Sequence, residues 1–297
     1  MIGTLARRGI PLLWEQYASE RKRPLTASPF TPDPARWGDG GLYAAWLGHS
    51  TVLLKLDGVT ILTDPVFSQR IGLNLGPLTI GMKRLVLPAL SLKEMLKEIR
   101  RPDIVLLSHA HMDHFDLPSL RALESKVTHV VTASKTSDLL RAKRFGRVDE
   151  LGWRASTRVG DVSVSAFEVR HWGARMQSDT YRGYNGYLVE TPRFRVLFGG
   201  DTAMTRAFRN LRSSRRLDLA IMPIGAYDPW IRAHCTPEEA LEMANDAGAE
   251  LILPVHHQTF QLSREPKREP IERLSEALAG APERLAWQDI GQEIHLR

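Results

Sequence analysis

Leu106-Leu107-Ser108-His109-Ala110-His111-Met112-Asp113-His114 sets three imidazoles and one carboxylate within six positions, directly after the apolar run Ile104-Val105-Leu106-Leu107. The run is aliphatic and partly β-branched and follows the breaker Pro102, so it predicts a short buried strand. The ligand-rich residues then fall on the loop leaving the strand's carboxyl end. Irregular backbone there turns successive side chains inward, which neither helix nor strand permits at this spacing. Neutral imidazole and carboxylate are ligands for zinc and similar divalent ions, and the cluster offers more than one tetrahedral site uses. Two adjacent metals are the simplest reading. A lone histidine is ordinarily a surface or satisfied core residue. The His-x-His-x-Asp-His pattern after a buried strand outweighs that reading, because more ligands follow downstream.

His171 sits just past a predicted strand at 162–169, in Arg170-His171-Trp172-Gly173. Asp201 follows a predicted strand at 195–198 through Gly199-Gly200, two residues that let the backbone approach a site closely. His256 follows a predicted strand at 251–255, with His257 beside it. Each candidate therefore occupies the carboxyl end of a strand, and strand ends can converge on one edge of a sheet.

The 297 residues suffice for one large or two small domains, and 43% hydrophobic with 25% charged residues is the balance of a soluble globular protein. A net charge of +6 favours anionic partners. The single cysteine, Cys235, excludes an intrachain disulfide framework and fits a reducing compartment. No apolar stretch reaches transmembrane length, and residues 1–14 lack a small-residue cleavage site. Cytoplasmic residence is the expectation, with peripheral contact at the inner face of the membrane as an extension of it.

Residues 1–40 read as an N-terminal arm with one short amphipathic helix at 10–17. Residues 41–297 read as one folded domain. Strands are predicted at 43–47, 52–56 and 59–63, with Asp57-Gly58 as a hairpin turn. The segment 67–90 is apolar and punctuated by glycine and proline; it reads as a long loop without clear periodicity, either a lid or a packed insertion. A helix begins at Ser91 with Glu94 as its capping-box partner, and further helices are predicted at 117–123, 135–143, from about 203, at 237–247 and at 271–278. Strands are predicted at 128–132, 184–190 and 217–222. Helices alternate with strands in the second half, which argues for sheets covered by helices.

His109-Ala110-His111-Met112-Asp113-His114, His171, Gly200-Asp201 and His256 resemble, in order, the motifs of the metallo-β-lactamase fold. Trp46-Leu47-Gly48-His49-Ser50-Thr51, Leu62-Thr63-Asp64-Pro65, Gly200-Asp201-Thr202, Pro223-Ile224-Gly225-Ala226-Tyr227 and Thr236-Pro237-Glu238-Glu239-Ala240 resemble, more closely, its branch of N-acyl-phosphatidylethanolamine-hydrolysing phospholipases D. The similarity runs from about residue 42 to 265. It implies an α+β fold, a single-domain αββα four-layer sandwich with a dinuclear zinc site on one edge; Mn2+ and Fe2+ are the other candidate ions. Carried over by motif, His109, His111 and His171 hold one metal, Asp113, His114 and His256 the other, and Asp201 bridges them. The match favours His256 over His257. Asp64 resembles a carboxylate that accepts a ligand's free ring N–H and fixes its tautomer. His234, in Ala233-His234-Cys235-Thr236-Pro237, matches a family histidine near the leaving group and joins Asp113 among the expected catalytic side chains; a structural role at the helix entry is the alternative.

The leading functional reading is a zinc phosphodiesterase of phospholipase D type acting on a phospholipid or another anionic phosphodiester. The second is a lactonase on a phosphorylated sugar or another small ester, which calls for a closed pocket lined by Arg or Lys. A metal-free binding module is the third, and the complete ligand set argues against it. Nucleic acid is not an expected partner, since nuclease branches add a large inserted domain; a homodimer is compatible with the chain. Arg206, Arg209 and Arg212 recur every third residue and suit either phosphates or, by preference, a solvated face. The 67–90 segment suits either the border of an acyl-chain groove or ordinary packing, equally.

Overall fold

The computed structural model describes residue 20 and residues 23–75 and 78–297. The helix expected at 10–17 lies outside them. A meander opens the chain: β1 (Leu42–Gly48), β2 (Thr51–Leu56) and β3 (Val59–Thr63), with Asp57 at φ 46° and Gly58 at φ 89° in the tight turn between the last two. A separate two-stranded ribbon follows, β4 (Arg70–Leu75) and β5 (Leu78–Lys83). Next come α1 (Leu92–Ile99), β6 (Ile104–Leu107), α2 (Leu117–Ala122), β7 (His129–Ala133) and β8 (Arg147–Leu151). The second half contains β9 (Ser156–Val159), β10 (Val162–Phe167), β11 (Gly186–Glu190), β12 (Arg195–Phe198), β13 (Leu217–Pro223), α3 (Pro237–Ala247), β14 (Ala249–Val255), α4 (Glu269–Ala277) and β15 (Glu293–Leu296).

Two mixed sheets result. The first runs β15-β1-β2-β3-β6-β7-β8 and the second β14-β13-β12-β11-β10-β9. Alternation along the strands divides the core. In β12, Val196 and Phe198 face the space between the sheets while Leu197 faces outward; in β13, Leu219 and Ile221 point in, and Ala220 and Met222 point out. The outward set is covered by Ala240, Met243 and Ala244 of α3 and by Ile271 and Leu274 of α4. Both faces of these strands are thus buried, which is why they read as near-continuous apolar runs. Each fully buried Val or Leu side chain contributes about 1.5–3 kcal/mol of transfer free energy. The result is the expected helix-covered sandwich, a single domain. Thr236 starts α3 with a complete capping box, and Gly248 ends it at φ 80°.

Three local expectations are corrected. Residues 67–90 are not an aperiodic loop: the β4–β5 ribbon occupies their centre. Residues 135–143 form two short 3-10 turns, Ser137–Leu139 and Ala142–Arg144, because Glu150 takes the backbone N–H groups of Lys135, Thr136 and Ser137. The helix expected from about 203 is the 3-10 turn Arg206–Leu211, started by Thr205. Its three-residue period does put Arg206 and Arg209 on one face.

Candidate metal centre

Residues from both sheets meet at the carboxyl ends of their strands. Asn185 N–H donates to the Ser108 carbonyl at 3.0 Å and His109 bridges to Tyr184, joining the exit of β6 to the entry of β11. Gly200, at φ 58°, passes so close to this junction that a Cβ there would lie 2.8 Å from the Asn185 carbonyl and 2.9 Å from Ser108 Cβ. Only glycine fits both the conformation and the space. Non-glycine residues with positive φ gather here too: His49, Asp64, Ala226, His256 and Gln258. Such conformations cost on the order of 1 kcal/mol or more each and persist where the surroundings over-determine them.

The loop after β6 is held from several sides. Phe115 is fully buried, and its N–H donates to the His111 carbonyl at 2.8 Å. Arg175 Nη1 donates to the carbonyls of Ala110 and Phe115 at 3.0 and 2.8 Å, gripping both ends of the segment that carries His111, Asp113 and His114. Asp64, wholly buried at the end of β3, accepts from Ser108 N at 2.7 Å and binds His114 Nδ1 at 2.7 Å. That bond leaves His114 Nε2 facing the centre. His171 is fixed likewise, its Nδ1 donating to the Ala233 carbonyl at 2.8 Å.

His109, His111 and His171 form one group, with His109 Nε2 2.8 Å and His171 Nε2 3.3 Å from His111 Nδ1. Asp113, His114 and His256 form a second, joined by His49, whose Nε2 lies 3.1 Å from Asp113 Oδ2. Asp201 Oδ2 stands between them, 3.2 Å from His114 Nε2, 3.1 Å from His256 Nε2 and 3.8 Å from His171 Nε2. His234 Nδ1 is also 3.8 Å from Asp201 Oδ2. The ring of His257 lies instead on Trp46, 4.7 Å between centroids.

The donor set fits divalent ions. His114 Nε2 and His256 Nε2 are buried without a hydrogen-bond partner and both lie within 3.2 Å of Asp201 Oδ2, so they meet one carboxylate oxygen in common space. Burial lowers His109 well below the ordinary imidazole range, His111 to about 4 and His171 to about 3, so these rings are neutral near pH 7. Burial would raise Asp113 and Asp201, but His114 and His256 hold both well below the usual carboxylate range. His114 is conversely raised despite burial, by Asp201 and Asp113, and His256 is raised to about 9, chiefly by Asp201. Two anions buried among nitrogen donors favour positive charge at this point.

Above the centre opens a cleft of about 480 Å³ bordered by His111, Asp113, Asp201, His234 and His256 and by Trp172, Ala226, Trp230 and Leu262. The Trp172 ring packs on His171 and His111, with centroids at 4.4 and 4.6 Å. None of residues 206–216 borders this cleft. Arg209 pairs with Asp246, Arg215 with Glu190, and Arg216 with Asp218 and Glu250. The 67–90 segment does not border it either, apart from its packing on Leu262. Cys235 is buried, its thiol pushed up by burial and donating to the Pro223 carbonyl.

Sequence reasoning overlooked His49 as a member of the cluster, and Trp172 and Arg175 as its cover and clamp. His49 carried a usable signal, since it follows a predicted strand as the other candidates do.

A beta-lactamase superfamily domain model matches residues 59–257, a span that holds every residue of the cluster except His49. An uncharacterized protein of Mycobacterium tuberculosis is 33% identical over 285 residues, covering 91% of this chain and 74% of that protein. The mitochondrial N-acyl-phosphatidylethanolamine-hydrolyzing phospholipase D of Saccharomyces cerevisiae is 32% identical over 246 residues, 78% of this chain but only 51% of that protein. Among solved structures, a metallo hydrolase of the hyperthermophilic archaeon Ignicoccus hospitalis aligns with a TM-score of 0.65 over 87% of this chain and 99% of that one. At 18% identity that likeness is one of fold.

Proposed function

The chain belongs to the beta-lactamase superfamily, and from that premise we propose that it is a dinuclear metal-dependent phosphodiesterase that cleaves phospholipids with phospholipase D regiochemistry. His109, His111 and His171 would hold one ion and Asp113, His114 and His256 the other, with Asp201 available to both; Zn2+ is the expected metal. When bound, such a pair lowers the pKa of water from 15.7 to about 7 and neutralises charge on the oxygens of the scissile group.

The protein's own residues do the rest. Asp64 and the Ala233 carbonyl fix the tautomers of His114 and His171 and so aim each Nε2 inward. His49 orients Asp113. His234, lowered to about 4 by burial, is neutral and sits beside Asp201 at the cleft surface. Its ring N–H is placed to hold the leaving oxygen by a hydrogen bond. Trp172, Trp230 and Leu262 exclude water and receive an apolar substituent.

The observation that carries the substrate class is the composition of the cleft wall. Apart from the cluster it is aromatic and aliphatic, and no Lys or Arg borders it among the described residues. A phosphorylated sugar lactone would leave its phosphate without a cation there, whereas an acyl chain gains about 0.8 kcal/mol per buried methylene. The test is one panel on one zinc-loaded preparation: short- and long-chain phosphodiesters, N-acylated phosphatidylethanolamine and phosphorylated lactones. Long-chain phosphodiesters should lead, releasing phosphatidic acid and a free headgroup alcohol. Lactone opening that outpaces every phosphodiester would overturn the reading, and indifference to chain length would remove the lipid from it.

A further inference from the structure

The β4–β5 ribbon carries an apolar face that the protein body covers only at its base. Strand residues alternate between faces, and the register pairs Ile71 with Met82, Leu73 with Ile80 and Leu75 with Leu78. Ile71, Leu73, Ile80 and Met82 thus share one face by register, while Arg70 and Gly72 oppose Lys83 and Gly81 on the other. At the base, Ile71 and Met82 pack with Val66, Phe260 and Leu262. One step outward, Leu73 and Ile80 are 46% and 40% exposed.

This face continues into the mouth of the cleft. Leu262 belongs both to the ribbon's base and to the cleft wall, beside Trp172 and Trp230. Trp172, Trp230 and Ile231 are 45%, 53% and 44% exposed. The turn carrying Trp230 and Ile231 is tied to the segment after Leu262 by Arg264 N–H, which donates to the Asp228 carbonyl at 2.9 Å. Arg232 and Arg264 stand exposed beside these apolar side chains and form no ion pair among the described residues. Apolar side chains and tryptophans edged with arginine complement a bilayer surface bearing acidic headgroups: the rings and aliphatic groups enter the interface, and the cations meet the phosphates.

We propose that the ribbon face, together with the Trp230–Ile231–Arg232 tip, docks the protein on an anionic lipid surface with the cleft opening toward it. The use of that docking rests on the phospholipid reading above, but the docking itself is read by binding alone. The cations select this occupant over a second copy of the chain, whose matching face would set like charges against like.

The test is co-sedimentation with phosphatidylcholine vesicles, plain or doped with phosphatidylglycerol, of the wild type, the Leu73→Ser/Ile80→Ser double variant and Arg232→Glu. Oligomeric state by light scattering and turnover on a soluble short-chain phosphodiester are measured in parallel. The wild type should favour the anionic vesicles. The double variant should partition about tenfold less well and keep its turnover on the soluble substrate within about twofold. Arg232→Glu should remove the preference for anionic over neutral vesicles. Equal partition of wild type and double variant would overturn the proposal. So would a dimer that the double variant converts to monomer with no change in vesicle binding, since the face would then belong to a second copy. Vesicle binding without hydrolysis of any phosphodiester would keep the docking and sink the catalytic reading; hydrolysis without vesicle binding would do the reverse.

Discussion

The loop after β6 and the ribbon after β3 leave neighbouring parallel strands at the same edge of the first sheet, yet they are held in opposite ways. The β6 loop is fixed from outside itself, by Asp64 on Ser108 and His114, by Arg175 on two of its carbonyls, and by the buried ring of Phe115. The ribbon is held mainly by its own ladder and is attached at its base, through Ile71 and Met82 on one face and through the bonds of Arg70 and Lys83 to Glu20 and Arg23 on the other. Chemistry that needs atoms placed to a fraction of an ångström sits where neighbours remove every freedom. The segment left half-covered is free to meet something else.

The sharpest way to break this contrast is at the centre of the rigid region. Asp201→Ala should lower turnover on the order of 10³-fold or more while circular dichroism shows a folded chain. Activity within tenfold of wild type would mean that the carboxylate is not part of the reacting centre. His234→Ala should lose about 10²-fold in turnover with metal content unchanged; loss of metal would instead place His234 among the ligands. Asp64→Asn puts an amide where His114 and Ser108 both need an acceptor, and metal affinity should fall about 10–100-fold, measured by competition with a chromophoric chelator. An unchanged affinity would show that His114 needs no such partner.

The smallest effects separate the two regions by stability. Phe115→Ala should destabilise by about 3–5 kcal/mol, whereas Leu73→Ser should stay within about 0.5 kcal/mol, both read from urea titration. A large loss at Leu73 would mean that the ribbon is core, and the contrast would collapse.

The same contrast explains what could be read from the chain. His109, His111, Asp113, His114, His171, Asp201 and His256 each follow an apolar run, and strand ends on one edge bring their side chains together. His49 follows the same rule and was overlooked. The ribbon hid its period of two. Ile71, Leu73 and Leu75 fall on odd numbers in the sequence, whereas Leu78, Ile80 and Met82 fall on even ones, so no single alternation runs through both strands. Gly72 and Gly81 then suggest loop, although they face each other across the ribbon. The helix expected at 135–143 failed because the Glu150 side chain took the N–H groups of its first turn, a long-range bond that no local window contains. Arg175 was invisible for the same reason, since its partners are carbonyls about 60 residues earlier in the chain.

The proposed dinuclear centre requires two ions that would share Asp201, and stoichiometry tests it most directly. Metal-free protein should be titrated with Zn2+ while bound metal and turnover are followed together. Binding should saturate at two ions per chain, with maximal activity reached only at the second, and Asp201→Ala should not reach that endpoint. Maximal activity at one ion per chain, with no second ion retained, would contradict the dinuclear centre.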